Sequence, residues 1–152
     1  MDELSKRLTK AKIIGLDTPI FIYFLENSER YGELAQITIK GIENGKWAGV
    51  TSTITLMEIT VRPWQLGRET MAREYEAVLV HFPNLSVVDV DRNVARAAAQ
   101  LRARYNLAPP DALQVAASLS YGAKAFLTND KRLSRLQELI DVLVLDDFVE
   151  DD

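Results

Sequence analysis

Residues 108–130 read APPDALQVAASLSYGAKAFLTND, and the succession of residue types here sets the architecture. Pro109 and Pro110 punctuate the chain, and an alanine-rich stretch from Asp111 to Tyr121 has helical composition. Residues 123–128 then form a short apolar run ending in Thr128, Asn129 and Asp130, which reads as a strand closed by an acid. Helix followed by short buried strand is one unit of a sheet flanked by helices.

The same alternation extends in both directions. Residues 12–17 (KIIGLD) read as a first strand, with Thr18 and Pro19 as N-cap and first position of a helix through Phe21, Phe24 and Leu25. Residues 31–43 carry Leu34, Ile37, Ile39 and Ile42 and predict a helix stopped near Gly45; residues 47–52 predict a second strand. A helix follows from Thr53 until Pro63, then an amphipathic stretch over 69–81 ending at His81. Residues 85–90 supply a third strand, and Val94, Ala97, Ala98 and Leu101 recur at helical spacing until Asn106. Residues 142–145 complete a set of five strands. The expectation is an α/β fold: a central, mostly parallel sheet of about five strands between helical layers, in one domain over 1–152. Its core would span 12–145, with 1–11 as an extension and 146–152 as a solvated acidic tail.

Composition narrows the chemistry. The chain has 152 residues, 47% hydrophobic and 26% charged, within the range of ordinary globular proteins. Without cysteine it has no disulfide framework, thiolate zinc site or cysteine nucleophile, and with His81 alone it has no multi-histidine site. A net charge of −4 excludes bulk attraction to nucleic acid, so such binding must be local. No apolar run reaches the length of a membrane span, and residues 1–12 carry no secretory signal, so a cytoplasmic protein is expected.

Carboxylates remain. Asp17 ends the first strand, Glu58 follows the second, Asp111 opens a helix, and Asp130 follows the fourth strand. In an open parallel sheet the carboxyl ends of the strands share one edge, where ligands bind. Clustered acids oppose one another's ionisation unless a cation offsets them, and oxygen ligands favour Mg²⁺ or Mn²⁺. Taken singly, each acid has a plain structural role: Asp111 and Asp130 suit helix N-termini, Thr55 and Glu58 fit a capping box, and Asp17 suits a strand end.

The segments LDTPIFIYFLE (16–26), TSTITLMEI (51–59) and residues 108–130, in that order, resemble the PIN-domain ribonucleases, with VapC-like toxins the nearest in pattern. The resemblance spans nearly the whole chain. It implies a metal-dependent endoribonuclease, the toxin half of a toxin–antitoxin pair. Asp17, Glu58, Asp111 and Asp130 would hold one or two divalent ions, with Thr18, Thr128 and Asn129 supporting them. It also implies a homodimer built on helices within 53–81, and an antitoxin that places a basic side chain over the acids. Pro19 stands where many members carry Asn or Ser, and no acid is lost. Two alternatives stay open: a receiver-like or phosphatase-like domain, opposed by the lack of a second acid beside Asp17, and a catalytically silent binding module.

Arg62, Arg68, Arg73, Arg92, Arg96, Lys124, Lys131, Arg132 and Arg135 are candidate phosphate contacts, Lys131 and Arg132 foremost for their proximity to Asp130. Trp47, Trp64 and Tyr75 read as packing residues. The segment 1–11 is open between a capping helix, an interaction arm and sequence foreign to the domain.

Overall fold

A computed structural model describes residues 1–150. The first element is helix α1 (Glu3–Ala11), followed by β1 (Ile13–Leu16), α2 (Thr18–Leu25), α3 (Gly32–Glu43) and β2 (Ala48–Ser52). Next come α4 (Thr53–Gln65), α5 (Glu69–His81), β3 (Leu85–Val88), α6 (Arg92–Tyr105), α7 (Pro109–Ser120) and β4 (Ala125–Thr128). Strand β5 (Asp141–Val144) lies between two 3₁₀ segments, Lys131–Leu136 and Leu145–Phe148.

The five strands form one parallel sheet in the order β3-β2-β1-β4-β5. Side chains alternate across it. Ile14, Leu16, Ala125, Leu127 and Leu143 join the core with α1 to α5, while Val50, Phe126, Val142 and Val144 join α6 and α7. Three layers result, as expected. Gly15 on β1 lets α7 approach closely, because a Cβ there would stand 2.3 Å from Ser118 Oγ.

Several boundaries differ from the sequence reading. Asp17, not Thr18, is the N-cap of α2; its carboxylate accepts from the Thr18 N–H. Helix α4 runs through Pro63, since the proline removes a single donor and the last turn re-forms through Leu66 N–H to the Arg62 carbonyl at 3.1 Å. Helix α7 starts at Pro109, which needs no N–H in the first turn, so Asp111 lies within that turn and Ala108 is the N-cap.

The two terminal segments are built into the fold. Helix α1 buries Leu4, Leu8 and Ala11 in the core, and Arg7 pairs with Asp141 at 2.9 Å. At the other end Leu145 is fully buried, and Asp146 accepts from Tyr31 OH at 2.8 Å and Arg30 Nε at 3.1 Å. Within the expected solvated tail Asp146 is thus held against the fold, Asp147 and Glu150 are exposed, and residues 151–152 lie outside those described. Trp47 is buried and donates to the Thr38 carbonyl at 2.9 Å, and Tyr75 is partly buried against the core. Trp64, expected to pack, is instead 49% exposed beneath the guanidinium of Arg73. Among the described residues no helix is long and apolar enough to cross a membrane.

Candidate active site

Strand order reverses at β1, with β2 and β3 to one side and β4 and β5 to the other. The carboxyl ends of β1 and β4 thus form the switch point of the sheet, where a crevice opens. Asp17 follows β1 there, and Asp130 follows β4 two residues beyond Thr128. Asp111 enters from the first turn of α7, and Glu58 from the second turn of α4.

Asp17 is the most buried of the four, 8% exposed. Its Oδ1 accepts from the Thr18 N–H at 2.9 Å and its Oδ2 from Thr128 Oγ1 at 2.8 Å. Burial pushes its carboxyl up to about 6; those two hydrogen bonds oppose the rise, and the charges of Asp111 and Glu58 add to it. Glu58 Oε1 accepts from Thr18 Oγ1 at 2.6 Å. It forms no capping box with Thr55, because Ser52 caps α4 by accepting from the Ile54 N–H.

Asp111 is half-buried and, among the described residues, accepts no hydrogen bond and forms no ion pair. Its carboxyl is raised by burial first, then by the charges of Asp130 and Glu58, with Arg132 opposing. A helix cap would instead show an N–H on that carboxylate. Asp130 differs: it caps the 3₁₀ segment through the Arg132 N–H and binds the Arg132 guanidinium at 3.0 and 2.7 Å. These bonds hold its carboxyl below the usual range. Asp111 thus senses the charges of Asp130 and Glu58, and Asp17 those of Asp111 and Glu58, although among the described residues no three acids converge as a ready-made metal cage.

Of the supporting candidates, Thr18 and Thr128 touch the acids directly. Asn129 faces away, donating to Tyr23 OH at 3.0 Å and accepting from the Asp146 N–H at 2.9 Å. Arg132 lies on Asp130, and Lys131 is 3.9 Å from Asp146. Arg73 pairs with Glu69, Arg96 bonds Asn93, and Arg135 bonds the Tyr105 carbonyl. Arg62 and Arg68, with Glu26 and Glu58, line a surface cleft of about 270 Å³ beside the acids. The sequence reading gave no place in the site to Gln114, Thr51 or Ser52 and took Thr55 only as a helix cap; all four are buried behind Thr18. Their signal was present: Gln114 shares a helix face with Asp111 at i+3, and three hydroxyls interrupt an apolar strand–helix junction.

Donor chemistry fits a hard divalent cation, which would offset the carboxylate repulsion and for which Asp111 has free oxygens. Solved structures with the same fold include a chain in a toxin–antitoxin complex from Klebsiella pneumoniae, with TM-score 0.62, 20% identity, and 88% of this chain and 97% of that one covered. A chain of VapBC2 from Rickettsia felis bound to a promoter DNA fragment matches with TM-score 0.63 and 15% identity over 87% and 98%. A chain of DNA-bound VapBC from Salmonella typhimurium matches with TM-score 0.62 and 23% identity over 88% and 98%. No curated protein matches the chain by sequence. The PIN domain family model matches residues 14–139, a span that includes all four acids and the helices beside them, and the chain belongs to the PIN domain family.

Proposed function

We propose that this protein is a divalent-metal-dependent endoribonuclease and the toxin component of a toxin–antitoxin pair. The observation that carries the reading is Asp111, a half-buried carboxylate with no partner among the described residues, set beside a second acid whose ionisation burial opposes. Such an arrangement is unfavourable for a purely structural site and favourable for one that receives a cation.

Asp17, Glu58, Asp111 and Asp130 would hold Mg²⁺ or Mn²⁺. When bound, such an ion activates water and stabilises charge on a phosphoryl group. Thr128 and the Thr18 N–H orient the two oxygens of Asp17, and Thr18 Oγ1 holds Glu58. Arg132 must leave Asp130 for that carboxylate to serve, and its side chain is 77% exposed and free to swing toward an RNA phosphate. Arg62 and Arg68 flank the adjoining cleft and supply further phosphate contacts.

The similarity to chains from toxin–antitoxin complexes supports an antitoxin as partner. A basic side chain from that partner, placed over the acids, would offset the same repulsion. An RNA substrate would suit an activity in the cytoplasm. Exposed apolar side chains on α4 and α5 support a homodimer.

The test is cleavage of RNA by purified protein. Activity is expected with Mg²⁺ or Mn²⁺ and none in EDTA, and alanine at any of the four acids is expected to cost orders of magnitude in rate without additivity between pairs. Chelator-resistant cleavage overturns the metal mechanism. Absence of cleavage with antitoxin binding intact favours a silent binding module.

A further inference from the structure

Behind the acids lies a closed set of polar side chains centred on Gln114. Gln114 is 2% exposed, Thr18 4%, Thr51 1%, and Ser52 and Thr55 are fully buried. Groups of this kind are costly inside a core unless hydrogen-bonded, and among the described residues no buried side-chain polar atom is unpaired.

The directions of the bonds follow from the supply of protons. The Gln114 amide nitrogen donates to Thr55 Oγ1 at 2.7 Å and to Thr18 Oγ1 at 3.1 Å, while its oxygen accepts from Ser52 Oγ. Thr51 gives its one hydroxyl proton to the Leu16 carbonyl at 3.0 Å, so the proton between Thr51 and Thr55, 2.8 Å apart, comes from Thr55. Thr55 then has none for Thr18, which lies 3.0 Å away. Thr18 Oγ1 already accepts from Gln114. Its own proton is directed to Glu58 Oε1 at 2.6 Å.

We infer that Gln114 is a positioning residue for Glu58: its amide sets the Thr18 hydroxyl so that the proton points at the Glu58 carboxylate and holds it toward the divalent-ion site. The inference rests on the proposed role of Glu58 as a metal ligand. Because Gln114 lies one helical turn beyond Asp111, the same hub also ties the α7 acid to the α4 acid through α2. Partners that orient a ligating carboxylate contribute to metal affinity as well as to stability.

Calorimetric titration with Mn²⁺ alone, without RNA, tests this on variants that retain a cooperative thermal transition. Gln114→Met and Thr18→Val are each expected to weaken Mn²⁺ binding by about tenfold or more, and Thr18→Ser to stay within about twofold of wild type. The Gln114→Met, Thr18→Val double variant is expected to be no weaker than the weaker single, since both act through one hydrogen bond. Wild-type affinity in Gln114→Met, or full additivity in the double, overturns the inference. Should Gln114→Met not fold, Thr18→Val decides: wild-type affinity there shows that the hydroxyl does not hold Glu58, and Gln114 has nothing to position. A wild-type protein that melts cooperatively and binds no Mn²⁺ overturns instead the metal-nuclease reading.

Discussion

At Asp17 folding and the proposed chemistry make opposite demands. Burial raises its carboxyl from 3.8 to about 6, so across that window the folded chain binds more protons than the unfolded one. Stability from this group therefore falls as pH rises from about 4 to about 6, and above that the penalty is about 3 kcal/mol. In chelator, Asp17→Asn is expected to melt above wild type near pH 8 and to lose that advantage near pH 4, as followed by thermal melts across pH. A difference independent of pH removes the buried-charge account. Asp111→Asn separates ligand from cap. Asp111 accepts no N–H, so the substitution is expected to raise the melting temperature in EDTA by relieving repulsion. Wild type gains about 1.4 kcal/mol at roughly ten times the Kd for Mg²⁺, and the variant is expected to lose most of that gain. Parallel shifts of the two melting curves with Mg²⁺ show that Asp111 is no ligand.

Between elements, close packing outweighs propensity. Gly41 in α3 faces the indole of Trp47, and a Cβ there would stand 2.0 Å from Trp47 Cζ2. Alanine favours a helix by about 1 kcal/mol over glycine, while overpacking a filled core costs about 1–3 kcal/mol. Trp47 is also held by its bond to the Thr38 carbonyl, so the indole yields poorly and the steric cost wins. Gly41→Ala is expected to destabilise by up to about 2 kcal/mol net, measured by urea unfolding. A stabilised variant would mean that the indole moves freely.

For the whole molecule, the surface of α4 and α5 departs most from a solvated face. Met57, Val61 and Trp64 recur at helical spacing on α4 and are 56%, 47% and 49% exposed, with Val78 and Val80 exposed on α5. A second copy covering this strip is the proposed dimer. Light scattering at micromolar concentration is expected to give twice the chain mass, and Val61→Glu to give a monomer of unchanged melting cooperativity. A monomeric wild type with activity intact counts against the dimer.

The layered parallel sheet was legible in the sequence because strand and helix periods are local and repeat across short segments. The positions of Asp17 and Asp130 were legible too, since each follows the end of a short apolar strand. Boundaries at Pro63 and Pro109 were misread, because a proline's effect depends on which amide the helix can spare. Tertiary structure alone decided the rest. Gln114 and Thr18 meet across 96 residues, and Thr128 reaches Asp17 across 111. The docked α1 and Asp146, and the burial that raises Asp17 while Asp130 is held by Arg132, likewise depend on neighbours that local pattern does not encode. Periodicity records which face of a segment is buried, whereas hydrogen-bond partners and desolvation are set by what the folded chain brings against that face.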